Sequence, residues 1–215
     1  MVVVSVQGEI KRVQEVVANP SALGLLGLAM VTLVASSQKL GITGGDTHSV
    51  ALVLPWAIFL GAIAQLVAGL YDFKHNNTFG ATAFCGYGLF WCGVAMTWMI
   101  NMGMFGANAA AAADINQLGF AFLGYFIFTL YMTVGAMSTH KVLFTIFVLI
   151  DLLFLGLFMN TLGLGGEFWH KLAAWSELGI AICSFYASAA SVLNTHCGTV
   201  VLPVGKPFGP WAPKS

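Results

Sequence analysis

Two carboxylates stand inside long apolar runs where chemistry is the usual reason to keep a charge. Asp151 lies near the middle of the run Val142 to Thr161, and Glu177 lies about two turns into the run Leu172 to Asn194. An ionised carboxylate at mid-bilayer costs at least about 2.5 kcal/mol on insertion scales, so such a residue faces the bundle interior or water, or is held neutral. Either side chain can then take up and release a proton, which makes Glu177 and Asp151 candidates for a proton relay. Ala181, Ser184, Ser188 and Ser191 follow Glu177 at helical spacing. Such a stripe either lines a water-filled path or forms a close helix contact, because small residues and Ser serve both. Asp151 is flanked at helical spacing by Phe147 and Phe154, which also suits an interhelical hydrogen bond or a subunit contact.

Polar groups without charge form a second set. Gln65 shares a face with Gly61, Ala62, Ala68 and Gly69, so another helix can come close and meet the amide, or a small polar ligand can. Tyr87 shares a face with Gly80, Ala83 and Phe90, where it can narrow a pore while donating one hydrogen bond, or simply pack. Thr78 is the expected cap of the run that starts at Phe79. No Lys or Arg falls within an apolar run, so an anion would have to be recognised by hydroxyls, amides and the positive ends of helices, such as those beginning at Pro20 and Phe79. Cys85, Cys92, Cys183 and Cys197 lack the paired spacing of a zinc site and read as small packing residues. The five histidines, at 48, 75, 140, 170 and 196, fall in loops or at run ends, where solvated or interfacial roles are expected and a metal site is not. No cofactor is expected.

The elements that position these groups follow from composition. Only 7% of the 215 residues are charged and 59% are hydrophobic, with a mean hydropathy of +0.88. A transmembrane helix needs about 20 mostly apolar residues, and six runs qualify: Leu23 to Gln38, Val50 to Leu70, Phe79 to Ile100, Ile115 to Ala136, Val142 to Thr161 and Leu172 to Asn194. The expected fold is an all-α, polytopic membrane bundle of six helices with a short amphipathic helix ahead of it. The expected organisation is a cytoplasmic amphipathic segment over 1–18, a six-helix transmembrane domain over 19–205 and a tail over 206–215. In the leader, Val6, Ile10, Val13 and Val17 would share one helical face on the membrane surface, without the basic-then-apolar pattern of a cleaved signal peptide. The segment from Ala107 to Ala113 reads as a loop or frayed helix start, and Trp211 as part of an interfacial tail. Lys11, Arg12, Lys74, Lys141, Lys206 and Lys214 share one side of a six-span arrangement, and only Lys39 and Lys171 the other. Both termini are therefore expected in the cytoplasm. Zero formal net charge argues against nucleic acid as a partner. The chain also lacks a phosphate-binding loop, and no nucleophile-base pair or metal cluster suggests an enzyme.

Three separated segments carry a resemblance. Asn19-Pro20-Ser21-Ala22-Leu23-Gly24-Leu25 is similar to an Asn-Pro-Ala-Pro-Leu-Gly-Leu signature, with Ser21 and Ala22 in place of Ala-Pro. Ala64 to Leu70, Asn77 to Gly80, Thr82 to Phe84, Tyr87-Gly88 and Phe90-Trp91 form a longer match, and Thr199 to Gly205 a third. On these residues the chain resembles the acetate uptake transporter family. The resemblance implies six helices per subunit, a homo-hexameric ring in the cytoplasmic (inner) membrane, and a separate path through each subunit. It further implies passage of acetate, succinate or related short carboxylates with protons as a coupled partner, by channel or symport. It also implies a hydrophobic constriction at Leu28, where relatives have Phe, at Tyr87, and at Ile150, where they have Leu. Asn19, Gln65 and Thr82 then become substrate-binding candidates, while Asp151 and Glu177 match no motif. A channel for small neutral solutes such as ammonia or urea, and a non-transporting sensor or scaffold, are the alternatives.

Overall fold

A computed structural model describes residues 2–6, 9–13, 17–45 and 49–211. Six helices are long and apolar enough to cross a membrane: α1 (Ser21–Lys39), α2 (Leu54–Lys74), α3 (Thr78–Asn101), α4 (Ile115–Ala136), α5 (Lys141–Thr161) and α6 (Glu167–Cys197). The protein is thus a multi-pass, all-α membrane bundle. Its outward faces keep large apolar residues in view, among them Leu70, Phe120, Tyr131, Trp175 and Ile182, as a helix surrounded by hydrocarbon requires. Ala107–Ala112 forms a short helix between α3 and α4.

Each span keeps the place expected for it, and three ends differ by four residues or more. Pro55 falls in the first turn of α2, where its missing N–H costs nothing and its fixed φ suits a helix start, so α2 begins at Leu54 rather than Val50. At its other end α2 runs on to Lys74 and carries Asp72, only 2% exposed, into the bundle. A second buried acid therefore joins Glu177, beside the half-buried Asp151. The last span begins at Glu167, and Lys171 pairs with Glu167 at 3.0 Å one turn away on an exposed face.

The leader departs from expectation. Val2–Val6 (β1) and Glu9–Val13 (β2) form an antiparallel pair, with Val2 opposite Val13 and Val6 opposite Glu9, in place of the amphipathic helix over 1–18. Four valines in the first strand, with Ile10 and Val13 in the second, favour extended backbone, and Gly8 between them weakens a helix by about 1 kcal/mol relative to Ala. Lys214 and His48 lie outside the described residues.

Around the bundle the helices follow the order α3, α2, α1, α6, α5, α4. Two tyrosines close the ring between its end members. The Tyr87 hydroxyl on α3 lies 2.9 Å from Thr129 Oγ1 on α4, and the Tyr125 hydroxyl on α4 donates to the Gly86 carbonyl on α3 at 3.0 Å. Close approach elsewhere depends on missing side chains. A Cβ on Gly27 would run into the Leu60 carbonyl and lie 3.4 Å from Gln65 Cγ, and one on Gly88 would meet the Ala62 carbonyl at 3.0 Å. The small face around Gln65 is therefore a helix contact surface, with α1 on one side and α3 on the other.

Candidate functional site

A cavity of about 490 Å³ opens at one end of the bundle, within the size range of small-molecule sites. Its mouth is polar, with Asn19, Asn77, His140, Ser191 and Asn194 among its residues, and its floor is apolar, with Leu28, Tyr87, Phe147 and Ile150. No Lys, Arg, Asp or Glu is among the described lining residues.

The mouth is built from helix ends. Asn19 Oδ1 accepts the Ser21 backbone N–H at 2.9 Å ahead of α1. Asn77 Oδ1 accepts the Gly80 N–H at 3.1 Å and caps α3, so the cap is Asn77 rather than Thr78. The Asn77 amide nitrogen donates to Asp72 Oδ1 at 3.1 Å, tying the cap of α3 to the end of α2. His140 caps α5, its Nδ1 accepting the Leu143 N–H at 3.1 Å, which places the ring proton on Nε2. Burial lowers the His140 pKa, so the imidazole is held neutral. Asn194 on α6 binds the returning chain through three bonds, accepting the N–H groups of Val201 and Leu202 and donating to the Leu202 carbonyl. Beyond it, Val204 lines the cavity, and its carbonyl accepts the Val142 N–H at 3.1 Å.

The floor is rigid. Thr129 donates its proton to the Tyr125 carbonyl at 2.8 Å, so the Tyr87 O–H donates to Thr129 and presents only an acceptor elsewhere. The Tyr87 ring lies edge-on to Phe128 at 5.3 Å and stacked with Phe154 at 6.4 Å, and it is 4% exposed. Leu28 and Ile150 are 7% and 3% exposed. Gln65 is fully buried at this closed end, its Nε2 donating to the Gly61 carbonyl at 2.8 Å and its Oε1 without a partner. A π-helical stretch over Ala57–Ala64 immediately precedes it, a geometry that accumulates at functional sites.

Of the residues singled out from sequence, the structure brings together Asn19, Leu28, Gln65, Tyr87 and Ile150 in one cavity. Thr82 is half-buried and does not line it. Neither Glu177 nor Asp151 lines it either. Glu177 is 1% exposed and paired with Lys39 Nζ at 2.9 Å, and Asp151 Oδ2 accepts the Thr133 hydroxyl at 2.7 Å between α4 and α5. The stripe below Glu177 resolves into a helix contact, with Ser188 donating to the Ala22 carbonyl at 2.8 Å, while Ser191 reaches the cavity. Sequence reasoning missed Asp72 and the capping role of His140. Asp72 is two turns beyond Gln65 and shares its face, which is the signal that cutting the run at Leu70 discarded. His140 immediately precedes a run, where a side-chain cap is needed; it is half-buried at the helix start, the interfacial rather than the solvated of the two roles expected for the histidines.

The described end of the chain folds back over the mouth. The Phe208 N–H donates to the Met137 carbonyl at 3.0 Å, and the Phe208 ring lies 4.8 Å from that of Phe144.

Similarity to known proteins agrees with this architecture. Residues 5–206 match the model of the GPR1/FUN34/yaaH family. The succinate-acetate/proton symporter SatP of Escherichia coli (strain K12) is 35% identical over 191 residues, covering 88% of this chain and 96% of that protein. The structure described as the bacterial acetate channel SatP superposes with a TM-score of 0.79 at 32% identity, over 88% of this chain and 99% of that one. Ammonia transport outward protein 2 of Saccharomyces cerevisiae is 35% identical over 139 residues, 64% of this chain and 49% of that protein. With a family match over residues 5–206, which takes in all six candidate membrane spans, the chain belongs to the GPR1/FUN34/yaaH family.

Proposed function

We propose that this protein passes acetate and related short carboxylates, succinate among them, together with a proton, through the cavity of each subunit. The observation that carries this reading is a single cavity whose polar mouth narrows to the apolar, buried trio Leu28, Tyr87 and Ile150, with Gln65 at the same closed end. Amides and hydroxyls at the mouth replace part of a carboxylate's hydration shell, and an apolar neck gates by excluding water. With no cation in the described lining, an unaccompanied anion would cross the neck at high cost, which favours a proton as companion. The relatives named for acetate and succinate support the substrate class. The Lys and Arg distribution supports a cytoplasmic mouth and cytoplasmic termini in the inner membrane, and the resemblance supports a ring of six.

Uptake of labelled acetate into sealed vesicles holding the purified chain tests this. An inward proton gradient is expected to drive accumulation above equilibrium, and Leu28→Trp, which fills the neck, to cut uptake at least tenfold. The relative named for ammonia transport favours one second reading, a path for small neutral nitrogen compounds. Ammonia flux indifferent to acetate, with no acetate uptake, would establish that reading instead.

A further inference from the structure

The side-chain amides of the cavity are not equivalent. Asn19, Asn77 and Asn194 each spend their oxygen on backbone N–H groups at the mouth. Gln65 alone among the lining carboxamides has an oxygen with no partner, and it is 0% exposed. One of its two amide protons is held by the Gly61 carbonyl at 2.8 Å, which fixes the sense of the amide, since the opposite orientation would set oxygen against oxygen. The oxygen and the second N–H remain, an acceptor and a donor on one planar group. The nearby Tyr87 hydroxyl adds no donor, because its proton goes to Thr129.

We propose that Gln65 recognises the neutral carboxylic acid, and not the carboxylate, through this paired edge. A protonated acid carries an O–H beside a C=O and can make both hydrogen bonds at once, O–H to Oε1 and Nε2–H to the carbonyl oxygen. A carboxylate carries only acceptors, so one of its oxygens would face the unpartnered Oε1 in a site with no cation among its described lining residues. A buried acceptor left without a donor is costly, and the acid supplies the donor. The proton therefore crosses on the substrate: it joins the carboxylate from water at the mouth and leaves to water beyond the neck, so one acetate and one proton move together without His140 at the mouth having to carry the proton. Gln65 is then a specificity-determining residue, a role that rests on the carboxylate-transport reading above.

The test uses the reconstituted full chain and the protein-dependent part of acetate influx at fixed total acetate. Above the acid's own pKa, influx is expected to fall about tenfold per pH unit, following the acid fraction, and to be unchanged by a potassium-diffusion potential of either sign. Acetamide, which is uncharged and offers the same donor and acceptor pair, is expected to compete. Gln65→Met, of similar volume but lacking the edge, should lose at least tenfold in influx and lose acetamide competition, while eluting as the parent does on gel filtration. Influx that follows the membrane potential, or a Gln65→Met variant with parental influx and competition, would overturn the assignment while leaving carboxylate transport standing. A parent with no acetate influx would overturn both. The potential and acetamide arms need no variant, so the assignment stays falsifiable if Gln65→Met does not fold.

Discussion

His140 shows how a single side chain sets both geometry and pH response. Its Nδ1 completes the first turn of α5, and the burial that this position imposes keeps the ring neutral. A folded pKa below the unfolded imidazole value of about 6.5 means that stability from this group is full above that value and is lost as pH falls through the lower, folded one. Between about pH 7 and about pH 5 the parent should therefore lose more melting temperature than His140→Asn, whose side chain still offers an oxygen to the Leu143 N–H. Thermal unfolding of both proteins in detergent checks this. At the same scale, Tyr87 and Gln65 were legible from sequence as an aromatic hydroxyl and an amide amid small residues. The sense of their hydrogen bonds was not, because it depends on Thr129 and Gly61, one of them supplied by a different helix and the other by a backbone carbonyl.

At the scale of elements, α1 and α6 are joined by the ion pair of the half-buried Lys39 with the buried Glu177. Removing one member of such a pair leaves a charge in a low-dielectric site and typically costs about 3 to 5 kcal/mol, whereas replacing both with apolar residues is often neutral. Lys39→Met should therefore lower stability sharply, and Lys39→Met with Glu177→Leu should recover most of it, as read by chemical unfolding in detergent. Loss of the same size in both variants would show that the pair is not what holds these helices. Glu177 was visible from sequence as a costly acid, but its partner was not, since Lys39 fell one residue past the end assigned to the first span. All six spans were legible because hydrocarbon demands long apolar stretches. The leader was misread because apolar residues spaced for a helical face also suit a strand, and the run of valines decides between them.

For the whole molecule, α4 keeps Phe120, Ile127 and Tyr131 exposed at 65%, 56% and 58%, a face open to lipid or to a neighbouring subunit. Native mass spectrometry is expected to give six chains per particle, and a membrane-impermeant thiol reagent applied to intact cells should leave the exposed Cys197 unlabelled. A smaller particle would refute the ring, and labelling from outside would refute the orientation.

The cavity draws on the chain from Asn19 to Val204, with the first span seated against the last and the returning strand laid across the mouth. A nascent chain still short of that strand has no finished vestibule, and before α6 is inserted it has no wall behind α1. A partly made or prematurely truncated subunit therefore lacks the shaped cavity that the complete bundle encloses.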